Sequence, residues 1–395
     1  MLQELLEKKS LIVCVGSGGV GKTTISASLA LAAALDGKKS LVVTIDPAKR
    51  LADALGIAKL GNEEFEIDLS SLWELEGKPE GKRGRLFAMM LDHKLTFDRL
   101  VEQYSPSVEN AERLKANPWY QQMSSALSGI QDYMAVEKLY EMATARDYDL
   151  IVLDTPPTAN ALDFLEAPNR LMDFLGFQPF RWMQKTVGGE GKTGRFLRWG
   201  GTSLIRGLGR ITGEEVVEDM LQLMKDLSGF YDGFKDRAAR TWSLLRSDSC
   251  SFFVVTIPQH LSLLESLFFY QKLQEAEMPI SGFWINRGRG FYQNEKEWYA
   301  YSKNEHLQGS LDSVFSSQTQ EDLSDKEEAL LSQLSTYFEA DSQEVEQARK
   351  EVVFLREQVG DETFIGLLPV LQKDIHELRG LAEISQLLLK DGVDM

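Results

Sequence analysis

The sequence predicts an α/β fold built on a mainly parallel central sheet flanked by helices, with helical segments inserted between its strands. Three observations point there. Short apolar runs alternate with longer helix-like stretches along the chain, the arrangement of a parallel sheet covered on both faces. Several of the runs are apolar almost without a break, as strands buried on both sides require. The later spacers are too long for single crossover helices, so the extra length reads as insertions into one sheet rather than as domains on linkers.

In chain order the strand candidates are residues 11–15, 40–45, 86–91, 150–154, 252–257, 282–286 and 363–368. A helical stretch over about 94–146 separates the third from the fourth, and another over about 159–245 separates the fourth from the fifth. A polar, acidic stretch fills about 292–358. The chain thus divides into a discontinuous core, 1–92, 146–170 and 246–395, and two helical insertions, 93–145 and 171–245, that form a subdomain for a client or partner. Segments 76–84 and 188–194, rich in glycine and charge, read as flexible loops. There is no repeat of solenoid period and no low-complexity segment.

Composition narrows the function. An apolar share of 43% and a charged share of 26% over 395 residues are those of an ordinary globular protein. The net charge of −17 argues against broad nucleic-acid binding. Cys14 and Cys250 form no CxxC pair, which argues against a zinc site or disulfide framework and fits a reducing compartment; both read as core residues. No apolar run approaches the ~18 residues of a membrane span. The N-terminal MLQELLEKKS is not a secretory signal, so a cytoplasmic protein is expected.

The segment LIVCVGSGGVGKTT places Gly16, four residues, then Gly21, Lys22 and Thr23 between an apolar strand and an Ala/Leu-rich helix. It fits the phosphate-loop pattern G-x-x-x-x-G-K-[ST] in the right context, and with it the fold becomes that of a P-loop NTPase. Glycines let backbone N–H groups close around phosphate oxygens. The helix that follows adds its positive end, and Lys22 a point charge near the β- and γ-phosphates. Gly16, Ser17, Gly18, Gly19, Val20, Gly21, Lys22, Thr23 and Thr24 are the expected cradle, with the Thr23 hydroxyl on Mg²⁺.

Such a site needs a carboxylate at a neighbouring strand end to orient the metal, usually through water. Asp154 ends an apolar run and precedes Thr155-Pro156-Pro157-Thr158; the alternative for it is a helix cap. Asp46, in TIDPAKRLADALG, also follows an apolar strand. It could aim a water at the γ-phosphate, or be a turn residue beside Pro47, with Asp53 a solvated helix residue.

Together these residues resemble the ArsA-type ATPases, which include arsenite-pump ATPases and cytosolic ATPases that target tail-anchored membrane proteins. The loop is similar to that family's G-K-G-G-V-G-K-[ST]-T. Asp46-Pro47-Ala48 with Leu51, Asp53 and Leu55 resembles its first switch, and Asp154-Thr155-Pro156-Pro157-Thr158 its second. Val255-Thr256-Ile257-Pro258-Gln259 is similar to its V-x-x-P-E strand end. Ile285-Asn286-Arg287 and Leu367-Leu368-Pro369 resemble the late strands whose ends hold adenine. The resemblance implies an ATP-hydrolysing dimer that closes around ATP and opens after hydrolysis. Asp46 would position or deprotonate the attacking water and reach Mg²⁺ through water. Lys22, Thr23 and Asp154 would hold phosphates and metal, and Asn286, Arg287 and Pro369 would hold the base. Nucleotide state would control a helical surface for an apolar or membrane-associated client.

There are departures. Where the family carries a lysine that crosses the dimer, this chain has Ser17. Either it pairs with a lysine-bearing paralogue, or as a homodimer it hydrolyses slowly and switches on binding alone; both predict weak activity for the isolated protein. Gln259 replaces the usual glutamate. The CxxC of the tail-anchor targeting members is missing, and two separated cysteines cannot build the thiolate cluster As(III) needs. Guanine recognition is disfavoured without N-K-x-D.

Seven of the twelve methionines fall between Met123 and Met224, among them Met134, Met142, Met172, Met183 and Met220. They fill either helix cores or a promiscuous apolar groove. Residues 174–213 carry seven basic side chains against Glu190, interleaved with Phe177, Phe180, Trp182, Phe196 and Trp199. Such a stretch can lie on an anionic membrane surface or hold an acidic-flanked client; otherwise it is a solvated loop. The rival functions are a ParA/MinD-like positioning ATPase and a non-hydrolysing regulatory subunit of a heterodimer. Residues 381–395 lack the basic amphipathic helix of the former. His93, His260, His306 and His376 show no metal-ligand spacing.

Overall fold

The computed structural model describes residues 2–46, 48–76, 79–126, 128–145, 147–156, 219, 222–223, 226, 231–288, 343–371 and 377–390. The basic aromatic stretch 174–213, the loop 188–194, Pro157, Thr158, Met172, Met183, Met220, Met224, His306 and His376 lie outside them.

Among the described residues, eight strands form one sheet in the order β3-β4-β2-β5-β1-β6-β7-β8. They are β1 Leu11–Gly16, β2 Lys39–Thr44, β3 Phe65–Ile67, β4 Arg85–Met90, β5 Leu150–Asp154, β6 Cys250–Thr256, β7 Ile280–Gly288 and β8 Phe364–Pro369. Every neighbouring pair is parallel except β3 with β4. All seven strands expected from the apolar runs are present, shifted by at most two residues at an end. The edge strand β3 was not anticipated: FEI is too short to show a period, and only Ile67 is buried.

The central strands alternate between two cores, which is what their continuous apolar runs encode. Ile12, Cys14, Val42, Val152, Phe253 and Val255 point to one side, where they meet α1 (Leu2–Lys8), α2 (Lys22–Leu35) and the C-terminal α12 (Leu378–Leu389). Leu11, Val13, Val15, Leu41, Ile151 and Phe252 point to the other. There they meet α8 (Ser128–Ala145), α9 (Tyr231–Leu245), α10 (His260–Glu275) and α11, a helix over 343–359. Cys14 and Cys250 are free and buried, one in each core, and burial pushes both thiols up to about 12. Both are packing residues, as expected.

The stretch expected to be helical after β4 holds α5 (His93–Tyr104), α6 (Val108–Ala116), α7 (Pro118–Ala126) and α8. Asp92 and Ser107 cap α5 and α6 by accepting from Leu95 N and Asn110 N, satisfying orphan donors of the first turn. Tyr120 of α7, fully buried, donates to Asp98 of α5 at 2.7 Å. Arg237 of α9 reaches Glu137 of α8 at 2.5 Å. Met134 and Met142 are buried here, so these two fill core rather than line a groove.

Helix α2 carries the site. Its sequence KTTISASLALAAAL is small and apolar all round because it is buried all round, between the sheet and α12. Ser40 of β2 donates to Ala30 O at 2.7 Å, and Ser385 of α12 donates to Ser28 O at 2.8 Å. Leu381, Ile384 and Leu388 of α12 complete the seal. Leu381→Ala is expected to cost ~2–5 kcal/mol in chemical denaturation, as buried leucine truncations do; a loss under ~1 kcal/mol would show that α12 does not anchor α2.

Candidate functional site

At the C-terminal ends of the central strands the chain turns through Gly16–Gly21 into α2. Two glycines have a steric reason. Gly16 is paired with Val255 across the β1–β6 ladder, and a Cβ there would sit 2.1 Å from Val255 O. Gly21, at φ 95°, caps α2 in the left-handed region, and its Cβ would lie 2.2 Å from Asn286 Nδ2. Gly18 and Gly19 form the exposed tip, Ser17 and Val20 are buried, and Thr24 is half-buried. Lys22 is 6% exposed, and its ammonium donates to the carbonyls of Gly16 and Ser17, both at 2.8 Å. Burial lowers its pKa, against the pull of Asp154.

Asp154 ends β5 level with β1 and β2 and is 1% exposed. One carboxylate oxygen, Oδ2, accepts from Thr23 Oγ1 at 2.8 Å and Thr44 Oγ1 at 2.9 Å. The other, Oδ1, is buried with no hydrogen-bond partner. Burial pushes the group up to about 6, against the two hydroxyl bonds and the nearby Lys22 charge, which lower it. A buried oxygen left open beside a threonine hydroxyl suits a cation: the donor set is hard oxygen, the kind Mg²⁺ takes. Next to it, Thr155 donates to Cys14 O at 2.8 Å, tying the strand exit to β1.

Asp46 follows β2. Its backbone N–H donates to Thr44 Oγ1 at 3.2 Å, so one hydroxyl links it to Asp154. Its Oδ1 accepts from Ala48 N at 2.9 Å, and its Oδ2 lies 3.3 Å from Arg50 Nη1. The structure therefore brings Lys22, Thr23, Asp46 and Asp154 to one place, as the sequence led us to expect. Thr44 and Arg50 were not anticipated. A threonine ending an apolar strand reads as β propensity, although its place two residues before Asp46 was a usable signal. Arg50 opens a short helix, α3 (Arg50–Ala54).

The strands of the other half bring Asn286, Arg287 and Pro369 to the same end of the sheet. The Asn286 amide donates to Val20 O at 2.9 Å, and its carbonyl accepts from Arg287 N. Its side chain thus braces the phosphate loop. Arg287 is exposed with φ 56°, where β7 shifts register against β8. Beside it lies a cavity of ≈ 580 Å³ between the ends of β6–β8 and α11, lined by Pro258, Gln259, Arg287, Gln347 and Val370 among others. His260 pairs with Glu351 of α11 at 3.1 Å. Among the described residues there is no cluster of three or more His, Cys, Asp or Glu fit for a metal, and no helix long and apolar enough to cross a membrane.

The profile of a family described as anion-transporting ATPases matches residues 9–332. The chain is similar to ATPase GET3 of Malassezia globosa, 33% identical over 172 residues, which are 43% of this chain and 46% of that one. It is 28% identical over 288 residues to ATPase GET3 of Rhodotorula glutinis, 72% of this chain and 73% of the relative. ATPase ASNA1 homolog 2 of Paramecium tetraurelia is 28% identical over 289 residues, 72% of this chain and 78% of the relative.

Burial makes the ligand-free Asp154 hold its proton up to about pH 6, above an unfolded carboxylate. The stability from that proton is full below the unfolded value and is lost as pH rises through about 6. With EDTA present, wild-type stability relative to Asp154→Asn should fall by about 2 kcal/mol between about pH 4.5 and 7.5. A pH-independent difference in urea denaturation would mean that Asp154 is already compensated in the folded chain.

Proposed function

This chain belongs to the anion-transporting ATPase family, and from that premise we propose that it is a Mg²⁺-dependent ATPase acting as a nucleotide-driven homodimeric switch. The observation that supports the metal most directly is the open, buried Oδ1 of Asp154 beside the Thr23 hydroxyl. Thr23 would hold Mg²⁺ directly, with Asp154 and Asp46 reaching it through water. When bound, Mg²⁺ supplies charge neutralisation at the β- and γ-phosphates.

The protein's own residues do the rest. The N–H groups of Gly16–Thr24 take the phosphate oxygens, and Lys22 exchanges the carbonyls of Gly16 and Ser17 for the β- and γ-phosphates. Asp46, held by Ala48 N and by Thr44, orients the attacking water and accepts its proton. Adenine and ribose occupy the cavity between β6–β8 and α11, bounded by Arg287 and the turn after Pro369. Asn286 keeps Gly21 and Val20 in the shape the phosphates need.

The helices between β4 and β5 and between β5 and β6 form the client-binding part of the core-plus-insertion arrangement, by resemblance to members that target tail-anchored membrane proteins. The client would be an apolar or membrane-associated segment, engaged in the cytoplasm in one nucleotide state and released in the other.

Hydrolysis of Mg·ATP by the purified protein tests the reading. Wild type should turn over, and Lys22→Ala and Asp46→Asn should each lose ~10²-fold or more in kcat, the scale of a lost general base or phosphate contact. Asp46→Asn should still bind ATP, since it removes no phosphate contact. An Asp46→Asn variant as active as wild type would refute the assigned water-directing role. Binding without turnover in wild type would instead favour a subunit that needs a different partner chain.

A further inference from the structure

The phosphate loop is poor in positive charge for the substrate it is read to hold. Between Gly16 and Gly21 there is no ionisable side chain, and Lys22 is the loop's one cation. Ser17 cannot add to it: its hydroxyl is buried with no hydrogen-bond partner. A triphosphate brings about four negative charges, and phosphoryl transfer is catalysed mainly by matching that charge as it redistributes. A second protein cation at the γ-phosphate end is therefore to be looked for nearby.

Arg50 is the side chain in the right place. It opens α3 one helical turn after Asp46, with Nη1 3.3 Å from Asp46 Oδ2. The contact is lopsided. The carboxylate is 15% exposed and fixed by Ala48 N, whereas the arginine side chain is 59% exposed. A single contact of this length leaves most of the five guanidinium donors to solvent. Arg50 is also close enough to Lys22 for its charge to help lower the ammonium's pKa. It is held by one weak and reversible partner among the described residues.

We propose that Arg50 is a catalytic arginine supplied in cis. This deepens the ATPase reading and rests on it. In the ligand-free chain Arg50 rests on Asp46; with a nucleoside triphosphate in the loop it turns onto the γ-phosphate oxygens. A terminal phosphate offers the guanidinium fork two parallel charged acceptors and so outcompetes one carboxylate oxygen at the surface. The move frees Asp46 Oδ2 for the attacking water. In the step itself, the water oxygen bonds to Pγ, and the bond from Pγ to the bridging oxygen breaks with its electron pair passing to ADP. The water's proton passes to Asp46. Arg50 keeps its protons throughout and offsets the charge on the equatorial oxygens.

The test compares wild type, Arg50→Ala, Asp46→Asn and the double variant, using titration calorimetry with Mg·ADP and with Mg·ADP plus aluminium fluoride, beside ATP turnover. Arginines in this role contribute ~10³–10⁵ in rate. Arg50→Ala should therefore lower kcat and the affinity for the aluminium fluoride complex by more than ~tenfold, while ADP affinity stays within about threefold. The loss of fluoride-complex affinity should persist in the Asp46→Asn background, where no carboxylate remains to be positioned. A kcat change below ~tenfold, an equal loss for ADP and its fluoride complex, or disappearance of the effect in that background would each overturn the proposal. Wild-type protein that binds no nucleotide would overturn the ATPase reading with it. Normal wild-type turnover with a fully active Arg50→Ala variant would overturn this proposal alone.

Discussion

The carboxylate of Asp154, closed off from water at the end of β5, draws the neighbouring elements to itself. Thr23 comes to it from the first turn of α2, and Thr44 from the end of β2. Through Thr44 the same carboxylate fixes the backbone of Asp46. The glycine-rich loop's helix, the end of β2 and the chain at Asp46 are thus linked by three hydrogen bonds, two accepted by Asp154 Oδ2 and one by Thr44 Oγ1. Its second oxygen is left without a partner, and an unmet buried acceptor costs roughly 1–3 kcal/mol, more when charged. Under the proposed function a cation beside Asp154 would offset that cost, coupling its binding to local order.

That coupling needs rigid supports, and the fold supplies them. Gly16 lets β1 lie against β6 at a distance no side chain would permit, and Gly21 lets α2 start against Asn286. Because α2 is sealed by β2 on one side and by α12 on the other, Thr23 and Lys22 cannot drift with the loop. The exposed tip at Gly18 and Gly19 and the exposed Arg50 are the parts free to respond to a ligand. Asp46, Asp154 and Lys22 are held inside, and Arg50 alone of these four charged groups reaches out into solvent.

Much of this was legible in the sequence, for identifiable reasons. Continuous apolar runs marked the strands because each is buried on both faces, and the glycine spacing marked the loop because backbone approach to phosphate demands it. Asp154 and Asp46 were found as carboxylates just past such runs. β3 escaped because three residues on an edge carry no period. Thr44 escaped because its role comes from the register that sets β2 beside β5, which places Thr44 opposite Asp154. Asn286 was expected near the base, while its bond to Val20 joins residues far apart in the chain and follows from strand order alone. Arg50 was visible as a charge, but its importance depends on facing Asp46 across one turn and on Ser17 being sealed inside.

The open oxygen of Asp154 would make this a cation-dependent nucleotide site. Binding of a non-hydrolysable ATP analogue, measured by calorimetry with Mg²⁺ and with EDTA, tests it most directly in wild type and Asp154→Asn. Mg²⁺ should tighten binding to wild type by ~tenfold or more, a gain of about 1.4 kcal/mol, and leave the Asn variant nearly unchanged. Equal tightening in both proteins would contradict it.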